Sequence, residues 1–257
     1  MTLGTSPLIN TARRKMLAGE PAIGVTLALG SPLAAEFLSR AGFDFVLVDN
    51  QHGAWDDDST MVAFRYICLG SAIPMARVRQ NDYYAIGRLL DRGAMGIVVP
   101  MVNTVEEARA AAFAVRYPPI GGRSMGATLA SHYGSEYGQK IDQEVFLAVQ
   151  IESVQAVENA EAILGVDGVD GCWIGPNDLA RSMGVNWRSE DGGKVHREMI
   201  MRVRDACRKT GKICGISGEV DVSFWVENGL QFITASNDFM LMLEGAKEVW
   251  RKLGRQP

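Results

Sequence analysis

The sequence predicts a single (β/α)8 barrel domain spanning residues 1–257. Three observations carry the prediction. Eight apolar runs of strand length occur along the chain. Each is hydrophobic nearly throughout, as suits strands of a parallel sheet buried on both faces, and not alternating as in a half-solvated antiparallel sheet. Amphipathic helical patterns separate most of the runs. Eight βα units in about 250 residues is the ordinary size of such a barrel. The competing architecture, a doubly wound open sheet, would carry a Gly-rich phosphate turn after its first strand. Here AIGVTLAL is followed by GSPLAAEF, with no GxGxxG.

In chain order, AIGVTLAL (22–29) leads into the helical pattern PLAAEFLSRAG, and FDFVLVDN (43–50) into DDSTMVAFRYICLG. IPMARVR (73–79) precedes DYYAIGRLLDRG, and GIVVPMV (96–102) precedes TVEEARAAAFAVRY. VFLAVQIE (145–152) is followed by SVQAVENAEAILG, and VDGCWI (169–174), KICGISG (212–218) and QFITAS (231–236) complete the set. Several helical segments close on Gly, a common C-terminal stop. Two segments interrupt the rhythm. Residues 118–144, rich in Gly and Ser, read as a long connection of the active-site-rim type, and 184–193 as a shorter loop.

Composition narrows the function. A net charge of -4, with both signs interspersed, offers no basic face for nucleic acid, so the expected partner is a small molecule. No apolar run reaches the roughly 18 residues that span a bilayer, and MTLGTSPLINTARRKML lacks a signal-type apolar core, so no membrane association and a cytoplasmic location are expected. Cys68, Cys172, Cys207 and Cys214 are widely separated, with no CxxC pair and no His at zinc-finger spacing. They read as small reduced hydrophobes in the core.

Catalytic groups of this fold lie at the carboxyl ends of the strands. That rule explains why the apolar run FDFVLVD ends in Asp49, Asn50, Gln51 and His52. It selects Arg77 and Arg79 at the end of IPMARVR, Glu152 at the end of VFLAVQIE, and Asp178 just after WIGPN. Glu152 and Asp178 close consecutive runs, so their carboxylates can converge on one hard cation completed by water and substrate, Mg2+ or Mn2+ fitting best and Co2+ being the further option. The alternative makes Glu152 the start of the next helix and Asp178 the N-cap of DLARSMG. His52 is a candidate base or proton relay, against the plainer reading of a solvated loop histidine. Arg77, inside an apolar run, needs an anionic partner, either a structural carboxylate or a substrate. Asp91, near a helix end, reads on its own as surface charge. The GGRSMGA loop offers backbone amides for a carboxylate. Lys15, Lys140, Lys194, Lys209, Lys247 and Lys252 fall on helices or loops, and Lys212 opens a strand. None suits a Schiff base at the mouth.

Six motifs, VLVDNQHG, ARVRQND, LLDRGAMGIVVPMV, RYPPIGGRSMG, VQIES and GCWIGPNDLARSMG, occur in an order and spacing that resemble the HpcH/HpaI family of metal-dependent class II pyruvate aldolases over nearly the whole chain. The resemblance implies a (β/α)8 barrel assembled as a homo-oligomer, a hexamer built from dimers, with a divalent metal and no organic cofactor. It implies that Glu152 and Asp178 are metal ligands, that Arg77 contacts the oxo group of pyruvate, and that His52 and Asp91 form the proton-transfer pair. Gln150 stands beside the ligands, and Gly126, Ala127 and the Gly175, Pro176, Asn177 turn match backbone near the pyruvate carboxylate. The chain departs from many relatives at Gln51, where they carry an acidic residue, and lacks a tryptophan before Asn81 and Asp82. The implied reaction is reversible cleavage of a 4-hydroxy-2-oxo acid, of the 2-oxo-3-deoxy acid type, to pyruvate and an aldehyde. The alternatives are a related metal-enolate lyase or synthase using hydroxypyruvate, an oxaloacetate-type substrate or a CoA thioester, and a non-catalytic protein that binds a pyruvate-like ligand.

Overall fold

The structure is a computed structural model, described over residues 6–218 and 220–255. Residues 1–5, part of the N-terminal stretch read above as lacking a signal core, lie outside the described residues. After the short helix α1 (Thr11–Leu17), eight strands close a parallel barrel in sequence order. They are β1 (Ala22–Leu27), β2 (Phe45–Asp49), β3 (Ile73–Arg77), β4 (Gly96–Val99), β5 (Phe146–Ile151), β6 (Gly171–Ile174), β7 (Gly215–Ser217) and β8 (Phe232–Asn237). All eight expected strands are present.

The outer layer holds α2 (Pro32–Ser39), α3 (Asp57–Ile67), α4 (Tyr83–Asp91) and α5 (Val105–Val115). It continues with α6 (Tyr137–Glu144), α7 (Val154–Glu158), α8 (Ala160–Leu164), α9 (Pro176–Met183), α10 (Glu190–Thr210), α11 (Val222–Glu227) and α12 (Asp238–Lys252). Side-chain caps set where several helices begin. Ser31, Asp82 and Ser153 each accept an N–H of the first turn, and Asp56 with Ser59 and Thr104 with Glu107 form reciprocal capping boxes.

The barrel interior has an apolar floor and a polar mouth. Phe45, Phe146 and Phe232 open β2, β5 and β8, and their rings meet at centroid distances of 4.6 and 5.0 Å. Gly24 faces them because a Cβ there would lie 2.3 Å from the Phe45 ring. At the other end β2, β3 and β8 finish on Asp49, Arg77 and Asn237, and Gln150 is the last residue but one of β5.

Three segments depart from the sequence expectation. Residues 118–144 are a largely helical insert, with a 3-10 helix over Ala127–Tyr133 followed by α6. Because the insert joins α5 to the start of β5, it lies at the end of the barrel opposite the strands' carboxyl ends and is no part of the mouth's rim within the chain. The loop expected over 184–193 ends at residue 189, where Ser189 caps α10 by accepting the Gly192 N–H. SVQAVENAEAILG breaks at Asn159 into α7 and α8. Helix α12 buries only Asp238 and leaves Phe239, Met242, Leu243, Val249 and Trp250 exposed. Among the described residues, no helix is long and apolar enough to cross a membrane.

Candidate active site

The mouth encloses a cavity of about 350 Å³ lined by Asp49, His52, Arg77, Gln150, Trp173 and Asp178, with the Gly175, Pro176, Asn177 turn on one side. Arg77 ends β3 and is 9% exposed; its Nε donates to Asp49 Oδ1 at 2.8 Å and its Nη2 to Oδ2 at 2.5 Å. The anionic partner that the buried guanidinium required is therefore a structural carboxylate on the neighbouring strand, in register as Asp49 opposite Arg77. The guanidinium also lies over the Trp173 ring, 5.3 Å from its centroid. Asp49 does a second task. Its Oδ1 accepts the backbone N–H groups of Gln51 (3.0 Å) and His52 (3.3 Å), folding the polar tail of β2 into a turn. That turn sets the exposed His52 on the cavity wall. Arg79, by contrast, donates to the Trp55 carbonyl at 3.1 Å.

Glu152 follows β5 and precedes Ser153, the cap of α7, so it belongs to the strand end and not to the helix. It is 3% exposed. Its Oε1 accepts the Met101 N–H at 2.8 Å, and its Oε2 is bonded by Gln150 Nε2. Met101 sits at φ 56, in the left-handed region, which costs a side-chain-bearing residue about 1–2 kcal/mol. That backbone bend aims its amide at Glu152. Burial pushes the Glu152 carboxyl up to about 7, and the nearby Asp178 carboxylate adds to the rise, against the Met101 N–H, Arg77 and Gln150. Asp178 lies in the first turn of α9, whose N-cap is Gly175, so the capping role is not its own.

These groups fit a hard divalent cation. Two carboxylates that repel one another converge with Gln150, whose Oε1 is buried without a hydrogen-bond partner. Glycine at 175 keeps the cradle open: a Cβ there would stand 2.7 Å from Glu152 Oε2 and 2.8 Å from Gln150 Nε2. The Gly175 N-cap makes no side-chain hydrogen bond, so the first-turn amides of the eight-residue α9 face the cavity uncapped, a setting suited to an anionic group.

Three expected site residues lie elsewhere. Asp91 ends α4, on the floor side of the barrel, and its Oδ1 accepts from Arg123 Nη2 at 2.7 Å. Gly126 packs against it, since a Cβ there would be 3.1 Å from Asp91 Oδ2, and Ala127 opens the adjoining 3-10 helix. The structure thus gathers Asp91, Gly126 and Ala127 into a second cluster, apart from His52 within one chain. The physical reason is connectivity: a helix that starts at the mouth returns to the floor. Asp238 went unremarked in the sequence. It is 3% exposed and pins the β1 rim by accepting the Ala28 and Leu29 N–H groups at 3.0 and 2.9 Å. The signal was a carboxylate next to an asparagine at the end of an apolar run, Asn237–Asp238 here and Asp49–Asn50 on β2. No lysine lines the mouth cavity, which leaves no Schiff-base candidate there among the described residues.

The family model described as HpcH/HpaI aldolase/citrate lyase matches residues 23–242. The hydroxypyruvate/pyruvate aldolase of Pseudomonas aeruginosa is 34% identical over 250 residues, covering 94% of this chain and 91% of that protein. The 4-hydroxy-2-oxo-heptane-1,7-dioate aldolase of Escherichia coli is 35% identical over 256 residues, covering 96% of each. Among solved structures, an HpcH/HpaI aldolase/citrate lyase family protein from Burkholderia cenocepacia superposes with a TM-score of 0.86 at 28% identity, covering 95% of this chain and 99% of that one. Agreement of the motifs, the closed barrel and relatives above 30% identity over nearly the full length leads to one conclusion: this chain belongs to the HpcH/HpaI aldolase/citrate lyase family.

Proposed function

We propose that the chain is a divalent-metal-dependent aldolase that reversibly cleaves a 4-hydroxy-2-oxo acid to pyruvate and an aldehyde. The observation that carries this reading is that Asp178 and Gln150, whose carbonyl is unpartnered, line a cavity walled by Arg77 and His52, with the buried Glu152 carboxylate bonded to Gln150 and in electrostatic contact with Asp178 behind them. Glu152 and Asp178 would hold the cation, Mg2+ or Mn2+ by the hardness of the donors, with Co2+ the further option. When bound, it supplies Lewis-acid stabilisation of the negative charge that develops beside the substrate's carboxylate.

The chain's own groups do the rest. Breaking the C3–C4 bond sends its electron pair toward the C2 oxygen, and Arg77 presents a fixed positive charge on that side of the cavity. Asp49 holds the guanidinium so that little reorganisation is needed as charge grows. The first-turn amides of α9 at Asn177 and Asp178 receive the substrate carboxylate, while Gly175, whose own N–H is held by the Ile151 carbonyl, and Pro176 contribute shape and not a donor. His52 takes the proton of the 4-hydroxyl, directly or through water, and returns it in the aldol direction.

Asp91, Gly126 and Ala127 complete this machinery only when supplied by a neighbouring copy, which makes the active form a homo-oligomer, a hexamer by the family resemblance. The unburied apolar side of α12 supports association. The same reading takes residues 1–257 as one cytoplasmic barrel domain. A second nucleophile, hydroxypyruvate, is favoured by the relatives whose names include it.

The test is deuterium exchange into the methyl group of pyruvate in D2O, followed by NMR, with and without Mg2+ or Mn2+. Exchange that requires the metal is expected. Absence of exchange with any of these metals, for pyruvate and hydroxypyruvate alike, would leave only a binding role for the cavity.

A further inference from the structure

The four thiols scattered along the sequence do not stay scattered. Cys172 on β6, Cys207 on α10 and Cys214 just before β7 meet between the barrel wall and α10, with their sulfurs all within 4.8 Å of one another and Cys172 Sγ 3.4 Å from Cys207 Sγ. They are 0%, 1% and 3% exposed. Trp173 lines the mouth, so alternation along β6 turns Cys172 the other way, toward the buried face of α10. There Cys207 lies among Ile200, Val203 and Ala206.

We propose that this cluster is a binding site for a soft d10 cation of the copper(I) class, separate from the hard-cation site at the mouth. Geometry supports it first. Three sulfurs around one ion at an M–S distance of about 2.3 Å stand roughly 4 Å apart, which falls within the spacing already present. Ligand chemistry supports it next. Thiolates select copper(I), zinc and iron–sulfur clusters over magnesium or manganese. Structural zinc closes a four-ligand tetrahedron. Among the described residues the cluster offers three sulfurs and no His or carboxylate, and all three cysteines are buried. A cation content with three sulfur ligands matches that set.

Position supplies a purpose. The seam between β6 and β7 is the thinnest in the barrel: Ile174 pairs with Ile216, and an isolated bridge joins Gly171 to Ile213. The neighbouring β5–β6 seam runs in register from Ala148 opposite Gly171 to Ile151 opposite Ile174. Cys172 and Cys214 stand on the two sides of the thin seam, and Cys207 covers it from the helix layer. An ion held by all three would tie β6, β7 and α10 together, releasing the thiol protons to solvent as it binds.

The experiment uses the purified full-length protein, reduced, stripped of metal and handled without oxygen. Copper(I) alone is added in the presence of a competing copper(I) chelator, in parallel with Zn2+ alone and Mg2+ alone. The expected result is one copper(I) retained per chain, with a sulfur-only shell in X-ray absorption, alkylation protection of Cys172, Cys207 and Cys214, and a raised Tm. Cys172→Ala, Cys207→Ala and Cys214→Ala should each weaken retention at least about 100-fold, and Cys68→Ser should leave it unchanged. The wild-type stoichiometry and X-ray absorption decide the matter even where a core variant fails to fold. Loss of all copper(I) to the chelator, oxygen or nitrogen scatterers in the shell, preferential retention of Zn2+, or a Cys172–Cys207 disulfide in place of metal uptake would each overturn the proposal.

Discussion

Gly175→Ala is the sharpest single test of the cradle at the mouth. An added Cβ would lie 2.7 Å from Glu152 Oε2, 2.8 Å from Gln150 Nε2 and 2.9 Å from Glu152 Cβ. The carboxylate end cannot swing aside freely, because its other oxygen is held by the Met101 amide at 2.8 Å and the side chain is buried. Overpacking of this kind costs about 1–3 kcal/mol. If the strain falls on the metal-binding arrangement, it weakens divalent-metal binding by about 5- to 150-fold. Were it spent on the whole fold instead, Tm would drop by about 2–4 °C for each kcal/mol in a chain of this size. The assay is a Mn2+ titration by calorimetry, with thermal melts of the metal-free protein alongside. We expect the metal affinity to fall while the metal-free Tm moves by only a few degrees. Unchanged Mn2+ affinity in a folded Gly175→Ala protein would refute the claim that Glu152 and Gln150 frame the cation.

Arg77→Ala should lower metal-dependent exchange of pyruvate protons by about 100- to 1,000-fold, as removal of a fixed charge-stabilising group does; wild-type exchange rates in the variant would remove Arg77 from enolate stabilisation. His52→Ala should slow aldol cleavage more than pyruvate proton exchange, and equal loss in both assays would contradict its assignment to the 4-hydroxyl proton. In the metal-free protein, Glu152 holds its proton up to about pH 7 when folded but only to about 4.5 when unfolded. The raised carboxyl therefore contributes stability below pH 4.5 and loses it as pH rises toward 7, about 3 kcal/mol at most across the interval. Urea unfolding of wild type minus Glu152→Gln across that range should show the decline, and parallel curves would refute it.

The barrel was legible because its signal is local. Each buried strand announces itself by an apolar run, and each run ending in polar residues marks the mouth; FDFVLVDNQHG and VFLAVQIE end at the carboxyl ends of β2 and β5, where Asp49, His52 and Glu152 stand. What stayed hidden is relational. That Arg77 needed an anion follows from burial cost, but that the anion is Asp49 depends on the register of β2 against β3. That Met101 supplies the second hold on Glu152 depends on a left-handed bend at a residue type that gives no such hint.

The same distinction explains Asp91 and the cysteines, in opposite directions. Matching motifs placed Asp91, Gly126 and Ala127 in one functional set with His52, yet motif order carries no information about which end of a helix a residue occupies. The return of α4 to the floor separates them by the length of the barrel within a chain. Sequence distance likewise kept Cys172, Cys207 and Cys214 apart, and only the packing of α10 over β6 and β7 brings their sulfurs together. In a parallel barrel, neighbours across one seam can lie 42 residues apart, as Cys172 and Cys214 do. Spacing rules built for zinc fingers and hairpins therefore miss them, and clusters of like chemistry are best sought by comparing residues at the same height on successive strands.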